Sequence, residues 1–143
     1  MSKKPRLDGV VVLVVDDDPS SLYLVEQVLL QQGASVVTAE NPTAALRAVE
    51  KSPPDVLLSD IGLPEMDGYA LLKKIRELEQ QKRINAHVPA VAITAFTGPA
   101  DRRQAILAGF LFHLPKPLDV DELLTTVAHL AGRAEGGSSG DQA

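Results

Sequence analysis

Five short runs of apolar or β-branched residues, at 10–15, 35–39, 56–59, 90–94 and 110–114, recur along the chain, and each predicts a buried strand. Between them the period changes from two to that of a helix. The clearest helical stripes are Leu71, Leu72, Ile75 and Leu78, and later Leu123, Val127 and Leu130. Punctuation agrees with the alternation: Asp18-Pro19 and Asn41-Pro42 each set a capping side chain before a proline at the first helical position. Asp67-Gly68 reads as a turn and helix start, Asp119 with Glu122 as a capping box, and Gly33 and Gly132 as helix stops. Five strands, each followed by a helix across short connections, predict an α/β fold: a three-layer, doubly wound, five-stranded parallel sheet with right-handed crossovers. Five-stranded sheets of this kind commonly take the flavodoxin-like (βα)5 order 2-1-3-4-5, in which ligands collect beyond the carboxyl ends of the strands.

Composition narrows this picture. A chain of 143 residues that is 45% hydrophobic is the size of one domain with one buried core. The expected organisation is a flexible start over 1–7, an ordered domain over 8–132, and a tail or linker over 133–143 containing Gly136-Gly137-Ser138-Ser139-Gly140. The formal net charge of -5 opposes direct nucleic-acid binding. With no cysteine, disulfides, thiolate metal sites and cysteine nucleophiles are excluded. The longest apolar run, 10–15, is far short of the roughly 18 residues that suggest a membrane span. The basic start at Lys3, Lys4 and Arg6 leads quickly into acidic residues, unlike a signal peptide. A cytoplasmic protein without membrane insertion is the expectation.

The residues that follow each strand carry the chemistry, because such a fold brings them to one edge of the sheet. Strand one leads into Asp16-Asp17-Asp18, strand three into Asp60, strand four ends at Thr94-Ala95, and strand five leads into Pro115-Lys116-Pro117. Asp18, placed before Pro19, reads as a helix cap. Clustered carboxylates repel one another, and a hard cation such as Mg²⁺ is the usual compensation. Mg²⁺ keeps coordination sites for a phosphate oxygen, and phosphoryl transfer needs little beyond positioning and charge neutralisation. The Lys116 ammonium and the Thr94 hydroxyl are suited to supply both.

At these residues the chain resembles the receiver domains of two-component response regulators, over roughly 10–131. The matching stretches are VLVVDDDPSS, PDVLLSDIGLPEMDGYALLKKIR, AVAITAF and GFLFHLPKPLD. The start, LDGVVVLVVDDDP, and GFLFHLPKP look most like receivers attached to hybrid sensor histidine kinases. The resemblance implies that Asp60 is the phosphoacceptor and that Asp16 and Asp17 bind metal, Asp17 directly, with the Gly62 backbone carbonyl completing the protein's share. It implies Thr94 as the switch hydroxyl, Lys116 as the site lysine followed by a cis bond to Pro117, and Mg²⁺ or Mn²⁺ as the cofactor. It further implies a sensor histidine kinase or phosphotransfer protein as donor and a downstream protein or output domain as receiver of the signal, through helix four, strand five and helix five. A weak homodimer is compatible with it. The protein would then be no enzyme beyond its own phosphorylation and dephosphorylation.

The chain departs from the family at His113, where a switch aromatic is usual. Alternation along 110–114 puts Leu111 and His113 on one face and Phe110, Phe112 and Leu114 on the other, so no neighbouring aromatic replaces it. His113 reads either as a switch residue offering a hydrogen bond in place of aromatic area, or as an ordinary surface histidine. Gly62 and Phe96, bordering the site, lack polar side-chain atoms to orient an attacking water, which predicts slow loss of phosphate. The competing functions are a degenerate receiver serving as a docking module, a flavodoxin-like binding domain, and a haloacid-dehalogenase-type phosphatase using Asp16-x-Asp18. The last would leave Asp60 without a role, and no phosphate-cradling glycine loop follows strand one to support a nucleotide or flavin.

Overall fold

The computed structural model describes residues 4–133. Strands β1 (Val11–Val15), β2 (Ser35–Ala39), β3 (Val56–Asp60), β4 (Ala90–Thr94) and β5 (Phe112–Pro115) alternate with helices α1 (Pro19–Gln31), α2 (Pro42–Lys51), α3 (Gly68–Gln80), α4 (Pro99–Ala108) and α5 (Val120–Leu130). The strands pair in parallel in the order β2-β1-β3-β4-β5. This is the expected doubly wound sheet.

Side-chain alternation divides the interior in two. Val12 and Val14 of β1, Val56 and Leu58 of β3, and Val91 and Ile93 of β4 face α1 and α5, against Leu22, Val25, Leu29, Leu123, Leu124 and Val127. Leu13, Val15, Leu57, Ala90 and Ala92 face α2, α3 and α4, against Ala45, Val49, Leu71, Leu72, Ile75 and Ala105. Each fully buried leucine or valine contributes on the order of 1.5–3 kcal/mol relative to exposure. The central strands are thereby clamped on both faces, and their carboxyl ends are rigid platforms.

The N-caps stand where the sequence predicts, although at Asp119 only one half of the expected capping box with Glu122 forms among the described residues. Asp18, Asn41, Asp67 and Asp119 accept hydrogen bonds from the backbone N–H groups of Ser20, Ala44, Ala70 and Glu122. Gly33 and Gly132 adopt positive φ just beyond their helices. The chain is ordered earlier than expected, since Leu7 is fully buried and its N–H donates to the Gln32 carbonyl at 2.7 Å. An apolar side chain completing the α1 face outweighs the loop-like composition around it. At the other end the Arg133 N–H donates to the Ala128 carbonyl at 2.7 Å. The rest of the expected tail, 134–143, lies outside the described residues.

Strand five requires a correction. Gly109 ends α4 in the left-handed region at φ 108°, a conformation that penalises any Cβ, and sheet pairing starts only at Phe112. Leu111 forms a bend before the strand, so the alternation expected from 110 does not carry through into β5. Phe112 and Leu114 pair with Val91 and Ile93, on the α1/α5 face; His113 pairs with Ala92, on the opposite one. Phe110 belongs to that opposite face too, edge-on to Tyr69 with ring centroids 6.3 Å apart, so it does not share a face with Phe112 and Leu114.

Candidate functional site

Because β1, β3 and β4 are central and parallel, the residues at their carboxyl ends meet without any special loop. Asp16 follows β1, its N–H donating to the Ala39 carbonyl of the edge strand at 3.1 Å. One of its carboxylate oxygens accepts the Asp18 N–H at 2.9 Å, which leaves the other directed at Lys116. Asp60 is the last residue of β3, only 8% exposed, and the hydroxyl of wholly buried Ser59 donates to its carbonyl at 2.8 Å. Asp17 is exposed at the mouth. One oxygen from each of Asp16, Asp17 and Asp60 lies within 4.8 Å of the others, a set of hard oxygen donors of the kind that suits a divalent cation.

The Lys116 ammonium bridges two of the three acids, at 3.0 Å from Asp16 Oδ2 and 2.9 Å from Asp60 Oδ2. Its backbone N–H donates to the Thr94 carbonyl at 3.0 Å, and the following bond to Pro117 is cis, as expected. Burial pushes the Asp60 carboxyl above its ordinary value; repulsion from Asp16 adds to this, and the bond to Lys116 only partly offsets it. At Lys116 burial acts in the opposite sense, toward loss of charge, but hydrogen bonds to Asp60 and Asp16 outweigh it and the ammonium titrates higher than usual. Desolvation thus wins at the acid, while two carboxylate partners win at the base. The site is a cluster of like charges bridged by one cation.

Thr94 is buried at the end of β4, 1% exposed, and its Oγ1 accepts the Phe96 N–H at 2.9 Å. The hydroxyl is thus tied to the β4–α4 loop rather than to the carboxylates. Phe96, largely exposed, places its ring edge 4.0 Å from the spot a Cβ on Gly62 would occupy, so the two apolar border residues meet at the rim. The Gly62 N–H makes a long contact of 3.4 Å to Asp60 Oδ1. His113 stands apart from the site, in a groove with Arg102, Ile106, Leu111, Glu122 and Thr126, and both its ring nitrogens are buried without a hydrogen-bond partner among the described residues.

One site-building residue escaped the sequence reading. Gly68 starts α3 so close to β3 that a Cβ there would fall 2.6 Å from the Asp60 carbonyl oxygen. The Asp67-Gly68 pair signals a helix start, but nothing local tells that the helix abuts the backbone of Asp60.

Comparison with known proteins agrees with this geometry. The family model described as the response regulator receiver domain matches residues 12–128. An uncharacterised 14.6 kDa protein of Leptolyngbya boryana is 40% identical over 116 residues, covering 81% of this chain and 86% of the relative. The receiver domain of sensor histidine kinase PA1611 from Pseudomonas aeruginosa, solved with magnesium coordinated in its active-site cleft, has TM-score 0.76 and 31% identity, covering 87% of this chain and 98% of that one. The receiver domain of Ssk1, solved with the histidine phosphotransfer protein Ypd1 of Saccharomyces cerevisiae, has TM-score 0.81 and 26% identity, covering 90% and 91%. Other curated relatives are far longer, and the chain spans between 9% and 24% of their length. Fold, site and family model together show that this chain belongs to the response regulator receiver domains of two-component signalling.

Proposed function

We propose that Asp60 accepts a phosphoryl group from a phosphohistidine of a sensor kinase or phosphotransfer protein in the cytoplasm, the P–N bond breaking as a P–O bond to the carboxylate forms. The observation that carries this is the Lys116 bridge between Asp16 and Asp60 within a convergent carboxylate set. Mg²⁺, or Mn²⁺, would be held by Asp16, Asp17, Asp60 and the Gly62 carbonyl, supplying positive charge against the phosphoryl oxygens. Lys116 then exchanges one carboxylate oxygen for a phosphoryl oxygen, a charge-assisted bond it is already placed to make. Asp60 is held less tightly on its second oxygen than Asp16, which accepts the Asp18 N–H at 2.9 Å where Asp60 Oδ1 has only the Gly62 N–H at 3.4 Å, and it is buried where Asp17 is exposed. The magnesium in the PA1611 receiver and the phosphotransfer partner of Ssk1 support the same reading.

Thr94 is placed to report the event. Its Oγ1 accepts the Phe96 N–H while its own O–H is free to donate to a phosphoryl oxygen, so a shift of the hydroxyl toward the phosphoryl group would draw on the β4–α4 loop through Phe96. His113, with two unpartnered nitrogens, would gain a hydrogen bond from a rearrangement that brings a polar group of its groove, such as Glu122 or Thr126, within reach, which would transmit the change to the surface formed by α4, β5 and α5. Partner binding by His113→Ala and His113→Tyr at equal phosphorylation tests this, and three indistinguishable proteins would sink the role of His113. Because Gly62 and Phe96 offer no polar side-chain atom, phosphate is lost slowly; a half-life of seconds in the purified, metal-loaded protein would contradict that.

The central test is labelling by radioactive acetyl phosphate with and without Mg²⁺. A hydroxylamine-sensitive label that requires metal and disappears in Asp60→Asn is expected. A label that survives Asp60→Asn overturns the assignment. Absence of label would mark a docking module, and turnover of phosphate esters dependent on Asp16 would mark a phosphatase.

A further inference from the structure

Glu65, at the tip of the loop between β3 and α3, has φ 70°, a left-handed conformation that a long side chain seldom adopts and that glycine or asparagine would fill without penalty. Something outside the residue's own preference holds it there. Its Oε1 accepts a hydrogen bond from Thr43 Oγ1 at 2.9 Å, across from the first turn of α2. Among the described residues this is the side-chain hydrogen bond that joins the loop to an element other than β3 and α3, which it connects. The base of the loop is closed independently, by the Gly68 N–H donating to the Ile61 carbonyl at 2.8 Å. Within it the Leu63 N–H donates to the Ile61 carbonyl at 3.1 Å and the Met66 N–H to the Pro64 carbonyl at 2.7 Å, so the path is a succession of sharp turns.

We infer that the Thr43–Glu65 hydrogen bond is a clasp that fixes the course of the β3–α3 loop and through it the direction of the Gly62 carbonyl, making Thr43 and Glu65 positioning residues for metal binding. The inference rests on the metal-dependent reading of the site given above. Two features of the fold support it. With the order β2-β1-β3, the segments after β2 and β3 flank Asp16 and Asp17, so a bond between them spans the end of β1 beside the acidic cluster. Ile61 anchors the start of the loop in the α2–α3 side of the core, but Leu63 and Met66 beyond it are only partly buried there, so packing alone leaves the exposed tip free to relax. Released from Thr43, Glu65 would return to negative φ, and the chain three residues earlier would follow.

Calorimetric titration of Mg²⁺ into the wild type, Thr43→Val and Thr43→Ser, with amide NMR spectra of the metal-free proteins, tests the clasp. Thr43 is exposed and valine nearly isosteric, so folding is preserved, and loss of one exposed hydrogen bond should lower the thermal midpoint of metal-free Thr43→Val by no more than a few degrees. The expected result is Mg²⁺ binding weakened about twofold to tenfold in Thr43→Val, the value of one net hydrogen bond, with a displaced Gly62 amide resonance and recovery of both in Thr43→Ser. Wild type that binds Mg²⁺ with Thr43→Val matching it in affinity and Gly62 shift overturns the clasp alone. Wild type that binds no Mg²⁺ overturns the metal-dependent reading, and the clasp with it.

Discussion

Along β1 and β3, every residue from Val12 to Val15 and from Val56 to Asp60 is buried, between helices on both faces. Along α4, Ala105 is the one buried side chain, while Ile106 and Leu107 are 65% and 80% exposed and β5 beside it is half open. The same sheet therefore carries a stiff quarter and a loosely held one. The stiff quarter presents Asp16 and Asp60 at hydrogen-bonding distance from one ammonium, a geometry that tolerates little displacement. The loose quarter contains His113 with its unpartnered nitrogens, in packing that can shift at small cost. The acidic cluster stands where the core is dense, and His113 where it is thin.

The contrast breaks most directly through the core itself. Leu57→Ala, in β3, should cost about 3–4 kcal/mol in denaturant unfolding, whereas Ile106→Ala should stay within about 0.5 kcal/mol. Equal losses would erase the distinction. Next in size, Lys116→Met leaves Asp16 and Asp60 facing each other without their shared cation, and should cost the metal-free protein about 2 kcal/mol at neutral pH. Saturating Mg²⁺ should narrow that gap, and a gap indifferent to metal would count against the cation's place in the cluster.

Asp60→Asn should act in the opposite direction, raising the stability of the metal-free protein by about 1 kcal/mol at neutral pH. Burial raises the carboxyl's pKa on folding, so its ionised form costs stability above that raised value. The cost fades as pH falls from the folded value toward the ordinary carboxylate value, where the wild type is protonated in both states. Thermal midpoints of the two proteins should therefore converge in acid, and a gain that grows there would be the wrong sign. The smallest expected effect sharpens the loose side: His113→Leu removes two unsatisfied nitrogens and should stabilise by about 0.5 kcal/mol, so a clear loss would mean that the ring has a partner in solution.

Strand and helix order, the caps at Asp18, Asn41, Asp67 and Asp119, and the identity of the converging carboxylates were all legible in the chain, because each is a local pattern or follows from the rules for parallel sheets. The misreading of Phe110 has an equally local cause. A bend at Leu111 interrupts the extended chain between Phe110 and Phe112, and periodicity counted through a bend assigns the wrong face. The burial of Leu7 against α1 and the contact of Gly68 with the Asp60 backbone depend on distant segments meeting, which no window along the chain reports.

By itself, the sequence determined that Asp16, Asp17, Asp60 and Lys116 would stand at one edge of a parallel sheet, since hydrophobic period sets the strands and handedness sets their direction. Tertiary structure alone decided that one ammonium reaches two of those acids, that the Thr94 hydroxyl oxygen accepts the Phe96 N–H, and that Thr43 holds a left-handed Glu65. These are matters of a few tenths of an ångström between side chains up to 100 residues apart. Hydrogen bonds and ion pairs change steeply over such distances, whereas the burial that specifies the fold barely does.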